Sequence, residues 1–230
     1  MSKNEENFWE EIYSKGQQLN RYPFDCVVSF IFKNYPRNKQ KKDIKILEVG
    51  CGAGNNLWFA AREGFNVTGI DISESVIDYA KKRFQKDELK GKFIVGNFDE
   101  IANLKEKFDL IIDRAAITNI CLDEAKKCVT SIRKALNTDG VMFFNAYSDK
   151  HSSCSSGKYS NNGMVTDIQN RFSNIKELYF YGRRDIFELF KEGWKIESIQ
   201  HTETTEQISP EYFVYADWKV VVRKVGNENE

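Results

Sequence analysis

The sequence has few of the features that mark secreted or metal-binding proteins. Its five cysteines form no C-x-x-C pair, and its two histidines, His151 and His201, lie fifty residues apart. An odd number of scattered cysteines is typical of reduced thiols inside a cell, and no Cys/His cluster has zinc-ligand spacing. We therefore expect a cytoplasmic protein without a metal site.

Long apolar runs and an excess of charge of one sign are also missing. Thirty-four basic residues balance thirty-four acidic ones, so the formal net charge is +0. No uninterrupted apolar stretch is long enough to cross a bilayer, and the first sixteen residues lack the apolar core of a secretory signal. We expect no membrane partner and no nucleic acid captured by bulk charge.

Proline is scarce as well, and this bears on domain organisation. Three prolines and no Gly/Ser/Pro-rich linker leave no clear boundary, so we predict a single domain over residues 1–230. Apolar residues recur at helical spacing from residue 5 to about residue 35, with a break near Pro23. This pattern predicts two N-terminal helices within residues 1–41.

From residue 44 onward, short β-branched runs alternate with helical segments. The predicted strands are 44–49, 66–70, 93–95, 110–112 and 141–145, and the predicted helices are 56–63, 75–84 and 124–136, with a glycine turn at 137–140. Such alternation is typical of a parallel sheet with crossover helices on both faces. Residues 194–200 and 213–223 predict a closing hairpin.

The segment 146–192 is far longer than a normal connection between strands. Its first part, residues 148–163, is rich in Ser, Asn and Gly and contains His151. This composition fits either a mobile surface loop or a lid over a substrate. Its second part, residues 183–191, predicts an amphipathic helix.

The most informative motif runs from Glu48 to Gly54, where an apolar strand leads into three glycines spaced by one residue and then into a helix. Such a loop brings the backbone close to a nucleotide-like ligand at a helix N-terminus. A nicotinamide dinucleotide site requires a further glycine where Asn55 or Leu57 stands, so that alternative is weakened. Asp71 ends the second predicted strand, where a carboxylate can bind ribose hydroxyls or begin a helix.

Four segments carry a resemblance to a known family. Glu-Val-Gly-Cys-Gly-Ala-Gly, Gly-Ile-Asp-Ile-Ser, Val-Gly-Asn-Phe-Asp and Phe-Asp-Leu-Ile-Ile-Asp-Arg, in register through residues 44–145, resemble the class I S-adenosyl-methionine-dependent methyltransferases of the bacterial small-molecule type. The resemblance implies an α/β, Rossmann-like fold. Its seven-stranded, mostly parallel sheet has order 3-2-1-4-5-7-6, with helices on both faces, an N-terminal helical cap over 1–41 and a lid insertion over 146–192.

The resemblance also implies a cofactor and the residues that hold it. The cofactor is S-adenosyl-methionine, with S-adenosyl-homocysteine as product. The implied cofactor-binding residues are Glu48, Gly50, Cys51, Gly52, Asn55, Asp71, Ile72, Asn97, Phe98, Asp113 and Arg21. Position 97 departs from the family, in which aspartate is common, but the Asn97 carbonyl can still accept a bond from the adenine amine. Arg21 could pair with the cofactor carboxylate, the alternative being a solvated surface arginine.

Candidate catalytic residues follow the fourth and fifth predicted strands. They are His151, Asp113 and Tyr147. Arg114 is expected to lie beside them, where the methyl acceptor binds. A histidine is the natural base for a hydroxyl acceptor near neutral pH, whereas the alternative for His151 is a solvated loop residue.

These features predict an enzyme that methylates a small-molecule acceptor, by O-methylation of a hydroxyl. The segments Asp113-Arg114 and 147–153 also resemble bacterial methyltransferases associated with surface-sugar gene clusters, and this resemblance implies a sugar or surface-glycan precursor as the acceptor. The segment Asp113-Arg114-Ala115-Ala116 lacks the Asn-Pro-Pro-aromatic motif of nucleic-acid amino methyltransferases, which disfavours base methylation. The alternatives are an N-methyltransferase or protein methyltransferase, and a noncatalytic S-adenosyl-methionine-binding regulatory protein. The oligomeric state is open.

Overall fold

A computed structural model describes residues 3–208 and 212–226 of the chain. The strands are β1 (Lys45–Val49), β2 (Asn66–Asp71), β3 (Lys92–Val95), β4 (Phe108–Arg114), β5 (Leu136–Tyr147), β6 (Lys158–Tyr159), β7 (Val165–Thr166), β8 (Glu177–Leu178), β9 (Trp194–Thr205) and β10 (Val214–Lys224). Seven of them form one sheet of order β3-β2-β1-β4-β5-β10-β9, in which β10 is antiparallel to β5 and β9. The predicted strand order is confirmed, because β6, β7 and β8 belong to the insertion and form a sheet of their own.

Helices connect the strands. They are α1 (Lys3–Ser14), α2 (Asp25–Asn34), α3 (Asn55–Arg62), α4 (Glu74–Lys86), α5 (Leu122–Ala135), α6 (Ser152–Ser156) and α7 (Arg183–Leu189), with 3₁₀ turns at Lys41–Asp43, Phe98–Asn103, Ile117–Asn119 and Asn170–Phe172. Within the two described ranges, no helix combines the length and apolar character that a bilayer crossing requires.

The two faces of the sheet bury two separate apolar clusters. Successive side chains of a strand point to opposite faces, so Leu47 and Ile111 pack on one side, whereas Ile46 and Leu110 pack on the other. The first cluster includes buried residues of α5 and α7, and the second includes buried residues of α2, α3 and α4. Burial on both faces explains why the central strands read as continuous apolar runs.

The two predicted N-terminal helices are α1 and α2, and the chain breaks between them near Pro23 as expected. Residues 1 and 2 of the predicted cap lie outside the described residues. Glu10 of α1 accepts hydrogen bonds from the Ser73 hydroxyl, at 2.6 Å, and from the backbone and hydroxyl of Ser75. These bonds attach α1 to the N-terminus of α4, above the carboxyl edge of the sheet.

The insertion is more ordered than its composition indicates. Residues 148–163 contain α6 and β6, and β6 pairs with β7, which pairs with β8, in an antiparallel sheet. Cys154, Val165 and Leu178 pack there against Ile12 of α1 in a third apolar cluster. The N-terminal cap and the insertion therefore form one packed layer. The predicted helix over 183–191 is α7.

The predicted glycine turn at 137–140 needs a correction. Helix α5 ends at Ala135 and β5 begins at once, at Leu136. Leu136 pairs with Phe108, but the next pair is Val141 with Leu110, so residues 137–140 form a bulge within the strand rather than a separate turn. Asp139 takes the left-handed conformation that the bulge requires, with φ 60°.

Gly69 in β2 generates a stability prediction. A Cβ at this position would lie 2.6 Å from Cys51 Sγ and 2.8 Å from Leu57 Cδ1. We expect Gly69→Ala to lower the free energy of unfolding in urea by about 1–3 kcal/mol through overpacking. Gly226→Ala is the matched control, because nothing lies within 4 Å of its added Cβ, and it should stay within about 0.5 kcal/mol of wild type. Equal stability of the two variants would contradict this packing.

Candidate active site

The loop between β1 and α3 carries the three glycines in left-handed conformations. Gly50, Gly52 and Gly54 have φ values of 61°, 50° and 67°, which side chains with a Cβ rarely adopt. A Cβ on Gly50 would lie only 2.3 Å from the Ala116 Cβ in the turn after β4. The loop therefore packs directly against that turn and leaves its backbone exposed to the space above β1.

Asp71 at the end of β2 holds this loop in place. Its Oδ2 accepts a hydrogen bond from the Gly52 backbone N–H at 2.8 Å, and its Oδ1 accepts one from the Ser73 N–H at 3.1 Å. Burial raises the pKa of Asp71 to about 6, although these backbone bonds pull it down. The sequence predicted Asp71 either as a carboxylate for ribose hydroxyls or as an acid at a helix start. Its position fits both interpretations, because Asp71 lies just before α4 and also lines a cavity.

Glu48 at the end of β1 is buried and only partly satisfied. Its Oε1 accepts a hydrogen bond from Asn56 Nδ2 at 2.6 Å, whereas its Oε2 has no hydrogen-bond partner. Burial raises the pKa of Glu48 to about 8, and the nearby carboxylates of Asp113 and Asp71 add to this effect against the bond from Asn56. An unpaired, buried carboxylate oxygen on a cavity wall is a site for a cationic or hydrogen-donating group.

A cavity of about 350 Å³ runs along the carboxyl edge of the sheet. Ten residues predicted for the site line it: Glu48, Gly50, Cys51, Gly52, Asn55, Asp71, Ile72, Asn97, Phe98 and Tyr147. This position is the one expected for ligands of doubly wound sheets. The volume lies in the range of small-molecule sites.

Three predicted site residues are not among those that line the cavity. Arg21 is exposed, its guanidinium lies 5.5 Å from the Tyr22 ring centroid, and only its backbone carbonyl is used, by Arg83. Asp113 is fully buried, and its Oδ1 accepts bonds from the Ala116 and Ile117 N–H groups, both at 3.0 Å. Asp113 thus shapes the turn that Gly50 contacts, and burial raises its pKa to about 7.

His151 is the third, and it is neither solvated nor on the cavity wall. It is 1% exposed, and its Nδ1 accepts a hydrogen bond from the Ser153 N–H at 3.1 Å at the start of α6. Its ring stacks on Phe172 with centroids 5.0 Å apart. Burial, aided by the charge of Arg171, lowers the pKa of His151 to about 4. The solvated-loop alternative is therefore wrong, because aromatic side chains of the insertion enclose the ring.

Asn97 lines the cavity, but its carbonyl already has a role. Asn97 Oδ1 accepts a hydrogen bond from the Phe98 N–H at 2.6 Å and caps the 3₁₀ turn Phe98–Asn103. The same side chain also accepts from the backbone of Glu100 in a capping box, so the Asn97 carbonyl is engaged in capping this turn.

Sequence reasoning assigned no binding role to several residues of the cavity wall. The cap contributes Trp9, Gln18, Asn20 and Phe24, and the turn after β4 contributes Ala115, Ala116 and Asn119. Tyr13 of α1 also lines the cavity. Aromatic residues at helical spacing signal a buried helix face, but the cluster they join is decided by packing.

Comparison with known proteins identifies the family. The family described as "Methyltransferase domain" matches residues 40–203, which include the glycine loop, Asp71 and the whole cavity edge from β1 to β5. The chain belongs to this methyltransferase family. Two solved structures of magnesium protoporphyrin IX methyltransferase from Synechocystis, both 16% identical to this chain, share the fold and contain bound S-adenosyl-methionine or S-adenosyl-homocysteine.

Individual relatives agree with this assignment. A putative methyltransferase of Geobacillus sp. is 28% identical over 138 residues, covering 59% of this chain and 56% of the relative. The malonyl-[acyl-carrier protein] O-methyltransferase of Acetivibrio thermocellus is 27% identical, covering 82% of this chain and 66% of its own length. The chain spans about half the length of the curated relatives it matches first.

Solved structures share the fold. The structure of an S-adenosyl-methionine-dependent methyltransferase from Methanosarcina mazei superposes with a TM-score of 0.69 at 18% identity, covering 86% of this chain and 98% of the other. A second, from Clostridium acetobutylicum, gives a TM-score of 0.63 at 18% identity, covering 88% and 90%.

The buried carboxyls generate a pH prediction for the ligand-free protein. The pKa values of Glu48, Asp71 and Asp113 in the folded state are about 8, 6 and 7, above the values near 4 of an unfolded chain. The folded protein therefore binds these protons more tightly, and its stability falls as pH rises from about 5 to about 8. Urea unfolding between pH 5.5 and 8.5 measures this slope.

Glu48→Gln isolates the upper part of that profile. With the group of highest pKa removed, the decline between pH 7 and pH 8.5 should become shallower. Glu188→Gln, an exposed change on α7, should leave the wild-type profile intact. Stability that rises over this pH range, or an unaltered slope in Glu48→Gln, would contradict the raised pKa values.

Proposed function

We propose that the chain methylates a hydroxyl oxygen of a small-molecule acceptor, with S-adenosyl-methionine as donor. The observation that supports this most directly is the extent of the cavity. It continues from the adenine-side residues Asn97 and Phe98, past the glycine loop, to Arg114 and Tyr147 at the ends of β4 and β5. One end suits the cofactor, and the other leaves space for an acceptor.

The residues at the first end fit the cofactor. Glu48 Oε2, buried and without a partner, suits the ammonium group of the methionine part. Asp71 presents a fixed carboxylate for ribose hydroxyls, and Ile72 and Phe98 supply apolar surface for adenine. When bound, the cofactor supplies a methyl group on a positively charged sulfur, which an oxygen nucleophile can attack in line.

Tyr147 is the predicted catalytic residue that reaches the cavity. We assign it the orientation of the acceptor hydroxyl through a hydrogen bond to its phenol oxygen. With the cofactor bound, the acceptor oxygen would form a C–O bond to the methyl group as the C–S bond breaks. The sulfur would leave as the neutral thioether of S-adenosyl-homocysteine, and the hydroxyl proton would pass to solvent water. His151 and Asp113 lie behind the wall and act on the site through the insertion and the turn after β4.

A partly enclosed site favours a small acceptor over a protein. Trp9, Tyr13 and Phe24 of the cap line the cavity, which narrows the space for a bulky chain and shields part of the site from water. The relatives include enzymes named ubiquinone biosynthesis O-methyltransferase and malonyl-[acyl-carrier protein] O-methyltransferase, which supports oxygen as the acceptor atom. Sugars and surface-glycan precursors are the acceptor class that the sequence favours.

The test of this function is an acceptor screen scored by release of S-adenosyl-homocysteine. Sugars, sugar nucleotides, hydroxy acids, amines and peptides are offered separately, and the product atom is identified by mass spectrometry and NMR. Turnover with a hydroxyl compound supports the proposal. Turnover with amines or peptides alone, or tight S-adenosyl-homocysteine binding without any turnover, would replace it with the N-methyl, protein or regulatory alternative.

Glu48 provides a prediction for the cofactor end. Glu48→Gln replaces the free oxygen by a group that cannot pair with an ammonium, at a cost of about 1.5–3 kcal/mol in S-adenosyl-homocysteine affinity by calorimetry. 5′-Methylthioadenosine lacks the amino-acid part, so its affinity should change less than about twofold. The control Glu188→Gln should bind both compounds as wild type does. Equal losses for the two ligands would place Glu48 elsewhere on the cofactor.

Tyr147 provides a prediction for the acceptor end. With the hydroxyl acceptor that the screen identifies, Tyr147→Phe should lower kcat/KM about 5–10-fold, the value of one hydrogen bond, without changing S-adenosyl-homocysteine affinity. Tyr79→Phe is the control, because Tyr79 is exposed on α4. Unaltered turnover in Tyr147→Phe would remove the phenol from the reaction.

A further inference from the structure

The acceptor end of the cavity contains an arginine without an anion. Arg114 ends β4, its Nε is buried without a hydrogen-bond partner, and no ion pair joins it to a carboxylate within the described part of the chain. Its guanidinium lies 4.1 Å from the centroid of the Phe24 ring. Tyr147 forms a side-chain hydrogen bond with Arg114, and the Arg114 charge acts on the nearby carboxyls of Asp113 and Glu48, but none of these groups pairs with its Nε. A half-buried guanidinium with an unpaired Nε on a cavity wall offers a binding position for an anionic group of a ligand.

The surroundings keep this arginine charged and in position. Burial alone would lower the pKa of Arg114, but the phenols of Tyr147 and Tyr215 favour the guanidinium and raise its pKa overall. Phe24, on which the guanidinium stacks, is itself fixed by a 2.9 Å hydrogen bond from its backbone N–H to Asn56 Oδ1. The guanidinium is therefore a pre-organised cation rather than a mobile surface group.

We propose that Arg114 binds a carboxylate of the methyl acceptor, so that the substrate of this chain is a small hydroxy acid. This inference rests on the function proposed above. Arg114 is the sole lysine or arginine among the described residues that line the cavity, so it matches one negative charge rather than a phosphate dianion. The planar guanidinium fits the two oxygens of a carboxylate. A sugar acid has both the carboxylate that Arg114 would bind and the hydroxyl groups of the sugar acceptors that the sequence resemblance implies.

The carboxylate of the cofactor is the alternative partner for the Arg114 guanidinium. Position favours the acceptor, because the aromatic neighbours of Arg114 are Phe24, which precedes α2, and tyrosines of β5 and β10, on the side away from Asp71 and the adenine-side residues. Glu48 suits the amino-acid part of the cofactor, and Arg114 lies on the neighbouring strand, farther from Asp71. The experiment below separates the two sources.

The test uses acid and neutral partners of similar shape on protein saturated with S-adenosyl-homocysteine. The pairs are glucuronate with glucose, and 4-hydroxybenzoate with 4-hydroxybenzamide, titrated by calorimetry and ligand-observed NMR. In at least one pair the acid should bind wild type about tenfold or more tightly than its partner. Arg114→Met should abolish that preference and leave the neutral compound within about twofold, whereas Arg114→Lys should retain part of it. Arg184→Met, which removes an exposed arginine on α7, is the control.

Each outcome of these titrations shows whether or not Arg114 binds the carboxylate of the acceptor. No acid preference in any pair, including no binding of either member, overturns the proposal, and the wild-type measurement alone suffices if a variant fails to fold. If Arg114→Met weakens S-adenosyl-homocysteine more than tenfold but spares 5′-methylthioadenosine, Arg114 holds the cofactor carboxylate and the proposal is wrong. Failure of wild type to bind S-adenosyl-homocysteine would instead refute the proposed function itself.

Discussion

The contact between the glycine loop and the turn after β4 is the constraint on which the site depends. Gly50 and Ala116 approach so closely that no side chain fits between the two backbones at the Gly50 position. Each partner of the contact is fixed by a buried carboxyl, Asp71 for the loop and Asp113 for the turn. Because both turns end strands of one parallel sheet, their positions are as rigid as the sheet itself.

This arrangement concentrates buried carboxyl groups at the carboxyl edge of the sheet. Glu48, Asp71 and Asp113 end three adjacent strands, and burial raises the pKa of each. Asp113 Oδ2 and Glu48 Oε2 both lack a hydrogen-bond partner, but Glu48 lines the cavity whereas Asp113 lies behind its wall. A ligand that carries positive charge relieves part of the cost of burying these groups, which is the electrostatic reason that such an edge suits a sulfonium cofactor.

The layer above the sheet gives the cavity its enclosed form. Helix α1 is attached to α4 through Glu10, and its Ile12 shares an apolar cluster with the insertion. The entry to α2 is attached to α3 through Asn55, whose Nδ2 donates to the Tyr22 carbonyl at 2.8 Å. The cap is therefore joined to α3 and α4, the helices that follow the glycine loop and Asp71, so one set of contacts positions both the cap and the glycine-loop side of the cavity.

The sequence by itself determined the alternating strands and helices, the glycine loop and the acids at the ends of β1 and β2, because local patterns of apolar residues and glycines specify strands and turns. The order of the seven strands came from the resemblance to a known family, because local patterns do not specify which strands are neighbours. It did not reveal that His151 is buried in an aromatic cluster, that Arg21 lies outside the cavity, or that the polar segment 148–163 folds into α6 and β6. Those outcomes depend on contacts between residues far apart in the chain, such as Ile12 with Cys154 and Arg114 with Phe24. Only the tertiary structure decided them, since a side chain's burial and charge environment come from whatever packs against it.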